Sequence, residues 1–405
     1  MIDTASVRAQ FPALRREVAG SQAVYLDGPG GTQVPRSVID AMAGVLERGV
    51  SNLSPRFDAG VLAIQTTADA RAAVADFFGA ASPNEIVFGQ NMTSLTFAVS
   101  RALANTWQPG DEIIVTALDH DANRTPWVMA AEDRGVSVKV VPFDTTIFDI
   151  HLASIRRALT DRTRLIAVTH ASNAVGTIVD VGAVTELAHS VGALSYVDAV
   201  HFAPHGPIDV QQIDCDFLVA SAYKFFGPHT GCLFGKAQHL QSLTAYKVRP
   251  APADGPGKWE TGTQSFESLA GVTAAVDYLA GLGEGPDRRS QLVSAMQRIR
   301  EYEMALSRRF LDGIEDMEHI TLYGIPDVAD RAPTFAIDVD GVSASAVASR
   351  LGERGVFVWD GHYYAVGVME ALGRIDSGGL VRIGFTHYTT PDEIDRLLTE
   401  LRTFG

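Results

Sequence analysis

Two short segments hold residues able to do covalent chemistry. The apolar run Leu194–Val197 ends in Asp198, and the run Phe217–Ala220 ends in Ser221-Ala222-Tyr223-Lys224. A carboxylate directly after one buried strand and a lysine directly after another face each other across a shared mouth when both strands lie in a parallel sheet. A structural ion pair accounts for these two residues as well as catalysis does. The pair is also what pyridoxal 5'-phosphate (PLP) chemistry requires: a lysine to form a Schiff base, and a carboxylate to keep the pyridine nitrogen protonated as an electron sink. Ser221 and Tyr223, beside the lysine, are further donors for a phosphate.

A second segment, Gly89-Gln90-Asn91-Met92-Thr93-Ser94, follows the strand-like Glu85–Phe88 and opens an apolar helix at Leu95. Small and polar residues at a helix N-terminus present free N–H groups and the positive end of the helix dipole, which suits a phosphate. Taken alone, an ordinary Thr or Ser cap explains it equally well.

The elements that must position these residues read as follows. Glu85–Phe88, Glu112–Thr116, Val136–Pro142, Leu165–Thr169, Leu194–Val197, Phe217–Ala220 and Gly231–Phe234 are short, apolar and β-branched. Most are separated by stretches with helical spacing, such as Val181–Val191. This alternation predicts an α/β fold with a mostly parallel seven-stranded sheet covered on both faces. After the Pro- and Gly-rich Pro250–Gly257 comes a helical region from Phe266 to about Gly313, interrupted at Gly281–Pro286. Pro333–Asp340, Val356–Trp359 and Leu380–Phe385 then read as strands around an Ala- and Ser-rich helix, Ala344–Leu351. We expect a large domain over residues 18–264 and a smaller α+β domain made of 1–17 and 265–405.

Composition narrows the partners. The net charge of −15 argues against nucleic acid or an anionic membrane, because phosphate binding needs a basic face. No apolar run reaches the length of a membrane span, and Met1–Phe11 lacks the apolar core of a signal peptide. Only Cys215 and Cys232 occur, at no zinc-site spacing and in strand-like apolar settings, so both read as buried thiols in a reducing cytoplasm. His201 and His205 are separated by Pro204, which disfavours a helical metal pair, and no metal is expected. Gly28-Pro29-Gly30-Gly31 lacks the dinucleotide spacing and puts a proline in the turn, so a nicotinamide cofactor is rejected.

Several motifs, in order along the chain, resemble the class V aminotransferase-like PLP enzymes, and most closely their cysteine desulfurase-like branch. They are Tyr25-Leu26-Asp27, Asn91-Met92-Thr93-Ser94, Asp119-His120-Asp121-Ala122-Asn123 with Pro126-Trp127, and Ser172-Asn173-Ala174-Val175-Gly176. Asp198-Ala199-Val200-His201, Ser221-Ala222-Tyr223-Lys224 with Gly227-Pro228, Glu260-Thr261-Gly262-Thr263 and Arg382 complete the series. The resemblance implies PLP-dependent transferase fold type I. It implies that Lys224 is the Schiff-base lysine and shuttles the Cα proton, that Asp198 partners the pyridine nitrogen and that His120 stacks on the cofactor ring. Asn173 then lies beside the phenolic oxygen, and Asn91, Met92, Thr93 and Ser221 form the phosphate cup. Thr263 reaches the phosphate of a neighbouring subunit, which implies a homodimer with shared sites. Arg382 takes the α-carboxylate of an amino-acid substrate through its planar fork.

The departures from that family bear on the reaction. Desulfurases carry a nucleophilic cysteine on a loop, whereas here the corresponding stretch is Asp360-Gly361-His362-Tyr363-Tyr364-Ala365, with Tyr364 at the cysteine position. A phenol cannot accept sulfane sulfur. His201 replaces a usual glutamine and Tyr223 a usual histidine, both keeping a hydrogen-bonding group. The side-chain pocket is expected to include Tyr364, His362, Trp359, Asn52 and Arg56. The leading expectation is β-elimination that cleaves a C–S bond of a cysteine-like substrate without an enzyme persulfide. The alternatives are epimerisation or decarboxylative C–C bond formation at the same carbon, and a non-catalytic PLP-binding protein.

Overall fold

The structure, a computed structural model, describes residues 2–405. Its centre is a seven-stranded sheet built from β1 (Ile86–Gly89), β2 (Glu112–Thr116), β3 (Ser137–Val141), β4 (Thr163–Thr169), β5 (Leu194–Asp198), β6 (Phe217–Ser221) and β7 (Gly231–Gly235). The spatial order is β1-β7-β6-β5-β4-β2-β3. Only β7 runs antiparallel to its neighbours. β6 and β7 are buried along their whole length, as expected of strands covered on both faces. One apolar cluster lies on each face of the sheet: Val197, Leu218 and Ala220 belong to one, Tyr196, Phe217 and Val219 to the other.

The C-terminal part forms a four-stranded antiparallel sheet. Its strands are β8 (Ile320–Tyr323), β9 (Thr334–Val339), β10 (Trp359–Gly361) and β11 (Leu380–Gly384), in the order β8-β9-β11-β10. The long helix Arg288–Ile314 and the helices Ala344–Glu353 and Pro391–Leu401 close its core, where Phe310, Phe335 and Phe385 stack against one another. Each helix start is capped from its own sequence, Asp287, Ser343 and Thr390 accepting N–H groups of the first turn.

Two connections tie the parts together. Val24–Tyr25 pairs in parallel with Val356–Phe357, so Val24 and Leu26 enter the core of the C-terminal sheet although they lie after residue 18. Helix Phe266–Ala280 packs into the core of the large sheet although it lies after residue 264. No helix among the described residues is long and apolar enough to cross a membrane.

Candidate active site

The C-terminal ends of β1, β4, β5 and β6 open on a cavity of about 700 Å³ between the two sheets, which is where an open parallel sheet places its ligands. Lys224 sits on the short turn after β6, and its Nζ donates to the Pro29 carbonyl. Burial and the neighbouring Arg382 charge lower its pKa to about 7, against the opposing pull of Asp198 and Asp27. A substantial fraction of neutral, nucleophilic amine near neutral pH results.

Asp198 ends β5. Burial raises its pKa to about 6, and its carboxylate accepts one hydrogen bond, from the Val200 N–H at 2.9 Å. His120 caps a single turn, its Nδ1 accepting from the Ala122 N–H at 3.0 Å. Burial, with the charges of Lys224 and Arg382, lowers its pKa to about 4 and keeps the imidazole neutral. Its ring stacks on Tyr364 with centroids 5.5 Å apart.

Arg382 projects from the middle of β11. Its Nη1 donates to the Asn173 carbonyl at 3.1 Å, the Tyr363 ring lies 4.6 Å from the guanidinium, and Nε has no partner. Burial lowers its pKa to about 10, so it remains a cation. No carboxylate among the described residues forms an ion pair with it, although Asp27 stabilises the charge electrostatically. A buried guanidinium left this way is able to receive an anion.

Asn173 is placed by the turn after β4. Gly176 in that turn has φ +81°, and a Cβ there would come within 2.5 Å of the Thr334 carbonyl. Glycine alone therefore permits this close approach to β9. The Asn173 Nδ2 donates to the Tyr363 carbonyl at 2.9 Å, while its buried Oδ1 is unpartnered. At the opposite end, helix Met92–Ala104 points its N-terminus into the cavity. Asn91 and Ser94 form a capping box, and the Met92 N–H donates to the Ser221 hydroxyl at 2.9 Å.

The cavity thus brings together Asn91, Met92, Thr93, His120, Asn173, Asp198, His201, Ser221, Tyr223, Lys224, Trp359, Tyr364 and Arg382. Four other residues singled out in the sequence lie outside it. His362 stands behind Tyr364 and accepts its N–H at 3.0 Å, and Asn52, Arg56 and Thr263 lie on the surface of the chain. His201 turns its Nε2 to the Thr334 hydroxyl at 2.9 Å, and His205 pairs with the buried Glu303 at 2.9 Å. Tyr363, His229 and Gln90 line the cavity without having been singled out. Tyr363 follows the end of β10 and owes its place in the cavity to the left-handed backbone at 363 and 364, which no local pattern signals. His229 stacks on Tyr223 at 4.8 Å through a loop return no local pattern reveals.

The Aminotransferase class-V family model matches residues 24–397. Among curated proteins, a cysteine desulfurase from Pectobacterium atrosepticum is 34% identical, over 98% of this chain and 96% of its own. A probable cysteine desulfurase from Synechocystis is 33% identical over 98% of this chain and 94% of its own. Among solved structures, the Escherichia coli cysteine desulfurase in its S-sulfonic acid form matches with a TM-score of 0.86 and 26% identity. That match covers 100% of this chain and 98% of the other. A more distant neighbour, 20% identical with a TM-score of 0.82 over 98% of this chain and 99% of its own, holds glycine covalently linked to PLP and shares the fold. The chain belongs to the class V aminotransferase family, as a cysteine desulfurase-like, PLP-dependent member.

Proposed function

We propose that this protein is a C–S lyase that eliminates a thiol from a cysteine-like amino acid and forms no persulfide on itself. The observation that carries this reading is a cavity holding Lys224, Asp198 and Arg382 but no thiol, while both cysteines are fully buried elsewhere. Burial pushes both thiols far up in pKa, Cys215 with added help from Asp216, so neither supplies a thiolate.

The residues fit PLP. Asp198, whose carboxylate accepts only one hydrogen bond, suits the pyridine nitrogen. The unpartnered Asn173 Oδ1 marks a buried polar position awaiting a ligand, and the Met92 end of its helix with Ser221 suits the phosphate. Lys224 would hold the cofactor through its amine, with His120 against the ring. When bound, PLP withdraws electrons from the substrate's Cα.

The chain's own residues do the rest. Arg382 holds the substrate carboxylate and fixes which Cα bond faces Lys224. Lys224, whose lowered pKa leaves a neutral fraction near pH 7, takes the Cα proton. Loss of the thiolate from Cβ then needs no enzymatic nucleophile. We also propose a homodimer. The exposed Leu53, Phe57, Val61 and Ile64, beside Asn52 and Arg56, support a second copy seated there, bringing Thr263 to the partner's phosphate.

A panel of amino acids tests the reaction by change in cofactor absorbance, followed by mass spectrometry of the products. Pyruvate, ammonia and a thiol are expected. Carbon dioxide, or an intact amino acid of inverted configuration, would replace elimination with another fate at the same carbon. An active monomer in sedimentation would overturn the shared site.

A further inference from the structure

Two aromatic rings stand bare at the mouth of the cavity. Trp359 in β10 lies directly opposite Arg382 in β11. Gly30 separates them: a Cβ there would sit 3.6 Å from the Arg382 Nη2 and 3.8 Å from the Trp359 Cε3. On the other side, Tyr364 stacks on His120. Tyr363 and Tyr364 both adopt left-handed backbone, φ +50° and +59°. Such a pair persists only where its surroundings over-determine it. Here the Asp121 N–H donates to the Tyr364 carbonyl at 2.7 Å, Asn173 donates to that of Tyr363, and His362 accepts the Tyr364 N–H. The loop is built to hold the Tyr364 ring at the entrance.

In the single chain Trp359 is 50% exposed and Tyr364 65%, and among the other described aromatic residues only Phe57 and Tyr246 are comparably bare. Rings left open in a concave site mark where a ligand is to be covered. Asp198 and Arg382 lie buried at the base with Lys224 half-buried beside them, and the Asp121 carboxylate, which also lines the cavity, accepts from the Thr125 hydroxyl at 2.8 Å. The other groups lining the cavity that can carry charge are the imidazoles of His120, His201 and His229, and among the described residues no lysine or arginine besides Lys224 and Arg382 is there to hold an anionic side-chain terminus.

We infer that the substrate carries a large, flat, uncharged substituent on sulfur, an S-aryl or S-arylmethyl cysteine, received between Trp359 and Tyr364. This rests on the C–S lyase reading. Free cysteine would leave both rings uncovered. In the reaction the Cα–H and Cβ–S bonds break and a Cα=Cβ bond forms. The proton passes to Lys224, and the sulfur leaves with its electron pair as an arenethiolate or arylmethanethiolate. Water then converts the released enamine to pyruvate and ammonia, with no net oxidation or reduction.

The holoenzyme is assayed with S-phenyl-, S-benzyl- and S-carboxymethyl-L-cysteine and with L-cysteine, measuring thiol and pyruvate. Binding is followed by indole emission, because Trp107, Trp127 and Trp259 are buried and Trp359 is the one open reporter. We expect kcat/KM for the two aromatic substrates at least tenfold above the other two. Trp359→Ala and Tyr364→Ala each raise KM for S-benzylcysteine about tenfold more than they raise that for cysteine, with cofactor absorbance confirming folded protein. The aromatic ligands quench the exposed indole, a signal lost in Trp359→Phe. Preference for cysteine or the carboxymethyl compound overturns the inference, as does an equal loss on every substrate in both variants. Quenching by S-benzylcysteine without thiol release would uphold the side-chain class and overturn elimination. Pyruvate from cysteine alone would do the reverse.

Discussion

Two buried carboxylates at opposite ends of the same pair of strands divide structure from function in this molecule. Asp216 lies at the N-terminal end of β6. It accepts from His239 at 2.8 Å, from His189 at 2.9 Å and from the Ser195 N–H at 2.9 Å, with Lys236 at 3.6 Å. Burial alone would raise its pKa, but those donors hold it well below the usual carboxylate range. Asp198, at the C-terminal end of β5, has one backbone donor, and burial pushes it up to about 6. Both carboxylates are buried, and the one with the larger supply of donors is the one whose pKa falls. A saturated carboxylate fixes loops; an under-supplied one awaits a cation or a donor from outside the chain.

The sharpest break of this contrast is Lys224→Ala, which removes the amine that Asp198 faces. Activity should fall below detection, and borohydride should no longer fix the cofactor to the protein, whereas in the wild type the label lies on the peptide containing Lys224. A label on another lysine would sink the assignment.

Next is Asp198→Asn, isosteric but unable to carry the charge. We expect a loss of about two to three powers of ten in rate, on the order of 3–4 kcal/mol of barrier, with cofactor affinity little changed. Exchange of the substrate's Cα hydrogen with deuterated water measures this whatever the final product. Near-normal exchange would show that this carboxylate is as structural as Asp216.

Acidity gives a smaller, graded effect. The Lys224 pKa, lowered by burial and Arg382 to about 7, means the amine is neutral above that pH and charged below it. Capture of added cofactor by resolved protein should therefore level off above about pH 8 and slow roughly tenfold per unit below about pH 6. The absorbance of the bound cofactor follows the rate, and a rate independent of pH between 6 and 8 would contradict the lowered value.

Much of this was legible in the sequence, because apolar β-branched runs ending in a polar residue report both a buried strand and its site-facing end. All seven strands of the large sheet lie at the expected places, with ends moved by no more than two residues. Helices Phe266–Ala280 and Arg288–Ile314 flank the Gly- and Pro-bearing break at 281–287. The edge strand β8 was not legible, since its residues are half-exposed and one face has no core to alternate against. In the site, Asp198 and Lys224 stood out because they follow strands directly. Tyr363 did not, because its burial over Arg382 depends on two successive left-handed residues that no propensity favours.

Asp216→Asn tests the other half of the contrast. Its low folded pKa means that it stabilises the protein above the unfolded carboxylate value of about 4, and that this stability is lost as pH falls through and below that value. The variant should lose about 1–3 kcal/mol at neutral pH, seen as a lower Tm. Turnover per folded molecule should remain within about twofold. A loss of turnover as large as that of Asp198→Asn would erase the distinction between the two ends of the sheet.

The smallest expected effect on turnover is from replacing both thiols with alanine. Cys215 immediately precedes Asp216, and Cys232 lies in β7 between Phe88 and Ala220, so one belongs to the saturated end of the sheet and the other to its interior. Both are fully buried, and burial holds both protonated. A sulfur acceptor must be a reachable thiolate, and neither condition is met. The sulfur of the substrate then leaves as a free thiol or sulfide, and the doubly substituted protein should turn over at the wild-type rate. Its stability should drop by about 1–2 kcal/mol per site, the cost of the small cavity each missing sulfur leaves. Mass spectrometry of wild-type protein incubated with cysteine should find no added sulfur on either peptide. A persulfide on Cys215 or Cys232 that forms and decays with turnover, or a double variant that folds and binds cofactor yet is inactive, would move sulfur chemistry into the framework.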